Sequence, residues 1–583
     1  MVGLSFSTSP FYSILYGVQR ILNAILPTVS IFVTSNFINT SMDILQGEAS
    51  VNEAYSSIVL LALIMSYNII IGNVMNFVNA KANIYYRKKL HPLMVERVAS
   101  LEYKHIENQQ TADLINRVVG TYPSMVLDMY IKVLDVVDLI IYILGIIITL
   151  FKYAWIMALI VVLSSIPLVI IANKAGQNSY EAQKEMTKVD RRFEYISDVL
   201  KSRESAEERT IFGYSEALNQ EYAKYYNHAR KFRLCILRKN FIKSKLGSLF
   251  CSIFSIVSML GLLPLVVNNK INVGIFIALT TAIWGLTNRL SWGINGLIED
   301  LSGKNEYLRE LSEFTSLEIL PDSTCAPQQE ITFKKLEFRN VSFRYPNTEN
   351  WILKNLSFVI EEGKHYSFVG VNGAGKTTIT KLITGLYTEY NGEILVDDRS
   401  LKDFKQEELK ALSSVVYQDF AKYSISLYDN IAIADQYCCS RDKVQQAIQI
   451  VGLSDAVNRL TFGLDTPLGK IFENGVDISG GEWQRVALAR SVCSRAPLRI
   501  LDEPTAALDP VGESMVYQNF KEISKGLTTI FISHRLGSTK LADVIYVISD
   551  GTIVETGSHQ DLISKNKLYA ELYRSQSEWY VAN

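Results

Sequence analysis

The first half of this 583-residue chain contains six apolar stretches that are each long enough to cross a lipid bilayer. A membrane-spanning helix needs about 20 apolar residues, and a buried core helix could explain any one stretch taken alone. Six in succession, most without an amphipathic face, predict a membrane domain of six transmembrane helices. The stretches lie near residues 14–38, 56–79, 131–151, 154–173, 246–268 and 273–295.

The charged residues between these stretches predict how the helices are oriented. Residues 39–54 contain Asp43, Glu48 and Glu53 but no lysine or arginine, whereas the long segments near 80–128 and 174–245 are rich in both. Because cytoplasmic loops carry the excess of positive charge, both long segments are expected inside the cell. The N-terminus and everything after the sixth helix are then also expected in the cytoplasm.

Composition argues against several other kinds of protein. The net charge of −1 gives no reason to expect nucleic acid as a partner, and the six cysteines show no metal-ligand spacing. The N-terminus lacks the pattern of a signal or transit peptide, so we expect a bacterial plasma membrane. So few residues precede the first helix that we expect no cysteine-protease domain in front of it.

The second half of the chain contains a predicted phosphate-binding loop. Residues 370–377 read Gly-Val-Asn-Gly-Ala-Gly-Lys-Thr. In such a P-loop, backbone N–H groups surround phosphate oxygens, the lysine reaches the β- and γ-phosphates, and the threonine hydroxyl ligates Mg²⁺. Lys376 and Thr377 therefore predict a nucleoside triphosphate site with Mg²⁺. A glycine-rich turn without a ligand is the alternative for this motif taken alone.

Two later segments supply acids and a histidine for the same predicted site. Residues 498–503 form a mostly apolar run that ends in Asp502 and Glu503, and such a strand delivers its carboxylates to the ligand-binding edge of a parallel sheet. We expect Asp502 to hold Mg²⁺ and Glu503 to polarise the attacking water. His534 directly follows another short apolar strand and can reach a γ-phosphate. A helix cap is the alternative role for the Asp-Glu pair.

Together with Ile478-Ser479-Gly480-Gly481-Glu482, these motifs make the whole chain resemble the ATP-binding cassette superfamily. The resemblance implies a half-transporter of the exporter type, with an α-helical membrane domain at residues 1–320, a linker at 321–335 and an α/β P-loop cassette at 336–583. It also implies that two cassettes bind ATP between them. The partner is either a second copy of this chain or a different half-transporter.

The resemblance assigns further residues to the ATP site. Tyr345 is expected to stack on adenine, Gln418 to sense Mg²⁺ and water, and Asp509 to lie in a loop that links the two sites. Ser479 and Gly481 are expected to contact the γ-phosphate held by the partner's P-loop. The catalytic set is Glu503, His534 and Gln418. The Mg²⁺ set is Thr377, Gln418 and Asp502. The nucleotide-binding set is Tyr345, Asn372, Gly373, Ala374, Gly375, Lys376, Thr377, Thr378, Ser479, Gly480, Gly481, Glu482 and Asp509.

The chain departs mildly from the family pattern at two positions, with Ile478 in place of leucine and Glu482 in place of glutamine. Two cytoplasmic segments, Tyr103–Thr111 and Glu208–Tyr214, resemble the short transverse helices that press on the cassettes of such exporters. The second is expected to dock near Gln418 of the partner cassette. A solvated helix-turn-helix is the alternative.

Charged residues in or beside the membrane helices bear on the cargo, because ionisable groups there are costly and therefore candidates for function. The candidates are Arg20, Arg289, Asp128, Asp135 and Asp138. The acids could line a cavity for a cationic cargo, or two of them could pair with Lys132 while the Arg289 side chain bridges two helices.

The cassette motifs are similar to those of lantibiotic-type peptide transporters of Gram-positive bacteria, which favours peptide export as the function. Three alternatives remain: an importer on the same scaffold, a lipid or drug flippase, and a membrane-bound ATP-dependent regulator.

Overall fold

The computed structural model describes residues 2–202, 205–320, 331–435, 439–505, 508–519, 523–524, 526–533 and 538–581. The chain divides into two compact units, which we call the membrane unit and the cassette unit. The membrane unit comprises Met1–Val95 and Asp113–Leu317, and the cassette unit comprises Glu96–Ala112 and Glu318–Asn583. Most of the predicted linker lies outside the described residues.

Long helices build the membrane unit. In chain order, the helices of residues 2–316 are α1 (Val2–Thr8), α2 (Pro10–Gln46), α3 (Val51–Ala99), α4 (Tyr103–Glu107), α5 (Gln109–Lys201), α6 (Ala206–Phe212), α7 (Ser215–Val267), α8 (Val273–Asn288), a π-helix (Arg289–Gly293) and α9 (Ile294–Ser316). Of these, α4 lies in the cassette unit. The predicted spans at 131–151 and 154–173 both lie in α5, which bends at Ala154, where φ is −153° and ψ is 68°. The two predicted spans are therefore separated by a local kink and not by a loop.

Within the described residues, four helical stretches are long and apolar enough to cross a membrane, and Cys251–Val267 is a shorter apolar helix. The four are Pro10–Gln46, Val51–Ala99, Gln109–Leu163 and Val273–Ser291. Many large apolar side chains on these helices point outward, such as Leu63, Ile69 and Ile148. A bilayer covers such a surface, because lipid tails are as apolar as the side chains themselves.

The helices approach one another through small residues. A side-chain carbon on Gly274 of α8 would lie 2.3 Å from the carbonyl oxygen of Ser35 on α2, and the Gly274 N–H donates a 2.9 Å hydrogen bond to Asn39. Ala278 and Ala282, one and two turns further along α8, are also buried. Small residues at such positions allow membrane helices to pack closely.

The cassette unit contains two sheets. Its strands are β1 (Lys335–Phe343), β2 (Leu353–Glu361), β3 (His365–Val369), β4 (Asn391–Val396), β5 (Arg399–Ser400), β6 (Ser413–Val416), β7 (Leu498–Asp502), β8 (Thr528–Ile532), β9 (Val544–Ser549) and β10 (Thr552–Gly557). One sheet has the order β2-β1-β4-β5 and is antiparallel, and the other has the order β10-β9-β3-β8-β7-β6. The second sheet is parallel except for β10, and every residue of β7 and β8 is buried, as expected for a parallel sheet covered on both faces.

Helices complete the cassette unit. They are α10 (Lys376–Ile383), α11 (Gln406–Leu412), α12 (Leu427–Ala432), α13 (Arg441–Ile450), α14 (Ser454–Arg459), α15 (Gly480–Cys493), α16 (Pro510–Gln518), α17 (His559–Lys565), α18 (Leu568–Val581) and 3₁₀ turns at Leu401–Asp403, Ile433–Asp435, Gly463–Asp465 and Ser538–Leu541. The mostly helical stretch near 400–480 also contributes β6, the edge strand of the parallel sheet. Its four residues carry too short an apolar pattern to be distinguished from the flanking helices by periodicity alone.

The two predicted transverse helices form, the first shorter than expected and the second shifted by two residues towards the N-terminus. The first, α4, ends at Glu107, and α5 begins at Gln109. The second, α6, ends before Gly213, whose φ of 63° places it in the left-handed region that favours glycine at a helix end.

Candidate functional site

The register of the parallel sheet brings four chain segments to one edge. Phe368 on β3 and Asp502 on β7 are both aligned with Ile532 on β8, and Val416 on β6 is aligned with Leu501 on β7. The segments that follow these strands therefore leave the sheet side by side. Ligands of open parallel sheets bind beyond this carboxyl edge.

The P-loop follows β3 and has the backbone of a phosphate cradle. Gly373 and Gly375 have φ values of 81° and 101°, which residues with a side chain rarely adopt. At Gly370 a side-chain carbon would lie 2.2 Å from the carbonyl oxygen of Ile548, so no larger residue fits. The following helix, α10, begins at Lys376 and directs its N-terminal N–H groups towards the loop, as at other anion-binding helix ends.

Lys376 is held inside this loop. Its side chain is 5% exposed, and Nζ donates hydrogen bonds of 2.7 Å and 3.0 Å to the carbonyl oxygens of Gly370 and Val371. Burial lowers the pKa of Lys376, and the nearby carboxylates of Glu503 and Asp502 oppose that effect. An ammonium group bonded only to neutral carbonyls is suited to a phosphate group.

Asp502 ends β7 with its carboxylate buried. The residue is 1% exposed, and neither carboxylate oxygen makes a hydrogen bond of normal geometry in the described chain, although the Thr377 hydroxyl is near enough to favour the ionised form. Burial raises the pKa of Asp502 to about 6. Carboxylate and hydroxyl oxygens are the donors that Mg²⁺ prefers, so Asp502 and Thr377 fit this ion.

Glu503 has a strained backbone that aims it away from the strand. Its φ is 49°, a conformation that costs a residue with a side chain roughly 1–2 kcal/mol. Two hydrogen bonds fix it: its N–H donates to the carbonyl oxygen of Ile532 at 2.8 Å, and its carbonyl oxygen accepts from Nε2 of Gln484 at 3.0 Å. Strain of this kind is common at functional sites, where surrounding contacts maintain it.

Gln418 and Ser533 follow two other strands, β6 and β8, at the same edge. Gln418 comes two residues after β6 and is exposed, while Ser533 directly follows β8 and is buried. His534 and Ala507 lie outside the described residues, so the structure does not place them.

Tyr345 lies next to the P-loop helix. Its hydroxyl is 3.0 Å from the hydroxyl of Thr378, and its ring makes edge contacts with Phe343 and Tyr387 at centroid distances of 5.2 Å and 5.5 Å. Tyr345 also lines a cleft of about 750 Å³. The ring therefore lies close to the phosphate-binding segment, as a base-stacking residue must.

The first transverse helix packs within the cassette unit, against this aromatic group. Nζ of Lys381 on α10 lies 2.6 Å from the Glu107 carboxylate and within 6 Å of the ring centres of Tyr103, Tyr345 and Tyr387. The Tyr387 hydroxyl also donates to Glu107. We call Lys381, Glu107, Tyr103, Tyr345 and Tyr387 the Lys381 cluster. It connects the segment 103–107 to the candidate base-stacking tyrosine.

The Ser479–Glu482 segment forms the start of α15, outside the P-loop. Ser479 is the N-cap residue, and it forms a capping box with Glu482: the Glu482 carboxylate accepts from the Ser479 N–H at 2.8 Å and from its hydroxyl at 2.9 Å. Ser479 and Gly480 are exposed. Asp509 likewise caps α16, accepting from the Gly512 N–H at 3.1 Å.

Sequence reasoning did not identify Gln484 or the Lys381 cluster. Gln484 is 2% exposed on a helix whose positions one turn further on, Ala487 and Leu488, are apolar and buried, and a polar residue on such a face is the one available signal for it. Lys381 and Glu107 are 274 positions apart in the chain, so no local pattern could connect them.

The charged candidates of the membrane unit are paired with one another. Arg20 contacts Asp135 at 2.8 Å, Lys304 contacts Asp128 at 2.7 Å, and Arg289 contacts Asp138 while lying over the Tyr142 ring. Lys132 lies 2.6 Å from Asp300 but 3.7 Å from Asp135. The expected bridge from Arg289 is present, whereas Asp128 pairs with a residue of α9 and not with Lys132.

Two family profiles match this chain. One described as "ABC transporter transmembrane region" covers residues 13–290, and one described as "ABC transporter" covers residues 353–506. The structure of a bacterial Atm1-family ABC exporter with ATP bound has the same fold, with a TM-score of 0.77, 23% sequence identity, and coverage of 96% of this chain and 98% of that chain.

Curated relatives extend over most of the chain. The subtilin transport ATP-binding protein SpaT of Bacillus subtilis is 28% identical over 96% of this chain and 90% of its own length. The nisin transport ATP-binding protein NisT of Lactococcus lactis subsp. lactis is 27% identical over 98% and 95%. An ATP-dependent lipid A-core flippase of Photorhabdus laumondii is 29% identical over 86% and 84%. The chain therefore belongs to the ABC transporters and is an ATP-hydrolysing half-transporter of the exporter type.

Proposed function

We propose that this protein exports a peptide across the bacterial plasma membrane as a dimer, with its cassette in the cytoplasm. Each ATP lies between the P-loop of one chain and the Ser479–Glu482 segment of the other. The exposed start of α15 supports this arrangement, because its N–H groups and helix dipole form an anion-binding surface that faces solvent. ATP then holds the two cassettes together, and loss of the γ-phosphate releases them.

Each residue at the sheet edge has its own role in the proposed hydrolysis. Lys376 and the P-loop N–H groups neutralise and position the phosphates, and Tyr345 stacks on the base. Glu503, held by Gln484 and Ile532, orients the attacking water and accepts its proton, and Gln418 positions the same water. Mg²⁺, bound by Thr377, Gln418 and Asp502, supplies positive charge at the leaving diphosphate.

The cargo assignment rests on the two relatives named for the transport of subtilin and nisin, which align with both domains of this chain. A lipid flippase is the second candidate, because the Photorhabdus relative also spans both domains. The paired charges of the membrane unit favour neither cargo, since the acids are already neutralised by basic partners.

The second transverse helix is proposed to dock on the partner cassette. Ile211 and Phe212 of α6 are 77% and 72% exposed, a large apolar surface in a cytoplasmic segment. Changing Phe212 and Tyr214 to alanine is expected to leave basal ATPase intact and to reduce its stimulation by cargo. Equal stimulation in mutant and wild type would place the docking surface elsewhere.

Transport assays in proteoliposomes with the cassettes outside test the cargo assignment. We expect ATP-dependent uptake of a fluorescent cationic peptide, abolished in Glu503→Gln. Movement of a fluorescent lipid analogue between leaflets, without peptide uptake, would instead favour the flippase. ATPase activity with neither movement would contradict both and favour a regulator.

A mixed dimer tests the shared site. Ser479→Arg and Lys376→Ala, made in separate chains and combined, disable different halves, so one of the two sites in a mixed dimer keeps both of its halves. We expect the mixture to hydrolyse ATP while each mutant alone does not. Confirmed mixed dimers without activity would mean that the site is not shared or that both sites must work together.

A further inference from the structure

The start of α15 carries a negative charge at the surface that is proposed to bind ATP. Glu482 stands at the third helical position, in the same first turn as the N–H groups that would meet the γ-phosphate. Burial disfavours its charged form, but the Ser479 N–H and hydroxyl, together with the Arg459 guanidinium, hold the pKa of Glu482 below its usual range. The carboxylate is therefore ionised at neutral pH.

This charge is large compared with the helix dipole. A helix N-terminus carries the equivalent of roughly half a positive charge, so a full negative charge nearby leaves the helix end unfavourable for an anion. Family members with glutamine at this position would not face this conflict. In this chain a second residue has to neutralise the Glu482 charge if the helix end is to bind an anion.

Arg459 is placed to do so. It is the last residue of α14, and its guanidinium donates to Oε1 of Glu482, while Oε2 accepts from Ser479. The Glu482 side chain is 18% exposed and that of Arg459 is 70% exposed. Because the guanidinium remains charged at any physiological pH, it restores net positive charge at the helix end.

We propose that Arg459 is a positioning residue of the ATP site, which neutralises Glu482 so that the start of α15 can bind the γ-phosphate. The proposal rests on the shared ATP site described above. An exposed ion pair that serves only stability contributes little and would not affect ATP. The two explanations therefore differ in the Michaelis constant for ATP.

Steady-state ATPase of the purified full-length dimer, measured against MgATP concentration, tests the proposal. Arg459→Ala is expected to raise the KM for ATP by roughly three- to tenfold with a smaller change in kcat, and Arg459→Lys, which keeps the charge, to raise it less. Glu482→Gln removes the negative charge but keeps a capping acceptor, so its KM is expected to fall. In the Glu482→Gln background, Arg459→Ala is expected to have no further effect.

Arg441 provides a matched control. It forms an ion pair with Asp465 at the start of α13, in which both side chains are exposed, and Arg441→Ala is expected to leave the KM unchanged. Melting temperatures of all variants report on folding.

An unchanged KM in Arg459→Ala, or an equal rise with and without Glu482→Gln, would overturn the role of Arg459. If Ser479→Arg also leaves the ATPase activity intact, the shared site itself is wrong. If Ser479→Arg abolishes activity, only the role of Arg459 fails.

Discussion

The charged residues of the membrane unit differ in their partners from those at the sheet edge of the cassette unit. In the membrane unit, acids and bases from different helices neutralise one another, as in Arg20 with Asp135 and Lys304 with Asp128. At the sheet edge of the cassette unit, the Asp502 oxygens make no normal hydrogen bond in the described chain and Lys376 bonds only to neutral carbonyls. Directly paired charges stabilise a fold, whereas buried charges that make no direct ion pair are costly and indicate a site that binds a charged ligand.

The largest expected effect is at Glu503. Glu503→Gln removes the group that orients water while leaving the phosphate cradle intact, so turnover is expected to fall by roughly 10²- to 10⁴-fold with ATP binding retained. Phosphate release measures turnover, and size-exclusion chromatography with ATP detects a trapped dimer. Glu393→Gln, an exposed carboxylate on β4, is the control. Near-normal hydrolysis by Glu503→Gln would show that Glu503 is not the residue that orients the attacking water.

The unpaired carboxylate of Asp502 predicts a pH dependence of stability. Its folded pKa of about 6 lies above the value of 3.8 for an unperturbed aspartate, so folding favours the protonated form. That contribution is complete below the unfolded pKa and is lost as pH rises through about 6, by at most roughly 3 kcal/mol.

Thermal unfolding without nucleotide, followed from about pH 4 to pH 7, measures this effect. The wild type is expected to lose more stability over this range than Asp502→Asn. Addition of MgATP is expected to restore the stability of the wild type more than that of Asp502→Asn. Parallel curves for the two proteins would mean that burial of this carboxylate is not the cause.

The paired charges of the membrane unit predict a smaller and non-selective effect. Asp135→Asn with Asp138→Asn leaves Arg20 and Arg289 without their partners, so we expect a loss of roughly 1–3 kcal/mol in stability. Activity should then fall equally for cationic and neutral peptides. A peptide-charge series with melting curves measures both, with Asp43→Asn as control. A loss confined to cationic peptides would instead identify these acids as part of a cargo site.

The smallest expected effect concerns the Lys381 cluster. Lys381→Met keeps the length of the side chain but removes the charge over three rings, and each such contact contributes about 0.5–1 kcal/mol. We expect ATP binding to weaken roughly threefold because Tyr345 is less well held. Equilibrium binding of a fluorescent ATP analogue measures this. Lys364→Met, which removes an exposed pair with Glu361, is the control. Unchanged binding of the ATP analogue would show that the Lys381 cluster does not affect recognition of the adenine base.

Short sequence patterns were sufficient to identify the features that depend on consecutive residues. The P-loop, the strand ending in Asp502 and Glu503, and the apolar helices were all identified from short windows, because backbone conformation and burial there follow from neighbouring side chains. Contacts between distant segments were not accessible in this way. Helical spacing offered Asp128 and Asp135 as one possible pairing for Lys132, yet its shortest contact is with Asp300.

The sequence by itself determined the family, the order of the two domains and the candidate residues at the carboxyl edge of the parallel sheet. Only the tertiary structure decided that Gln484 holds Glu503, that Lys381 joins Glu107 to Tyr345, and that Arg459 faces Glu482. The physical reason is that electrostatic and hydrogen-bonding partners are selected by distance in space. Packing of helices and strands sets that distance, and no local sequence pattern encodes it.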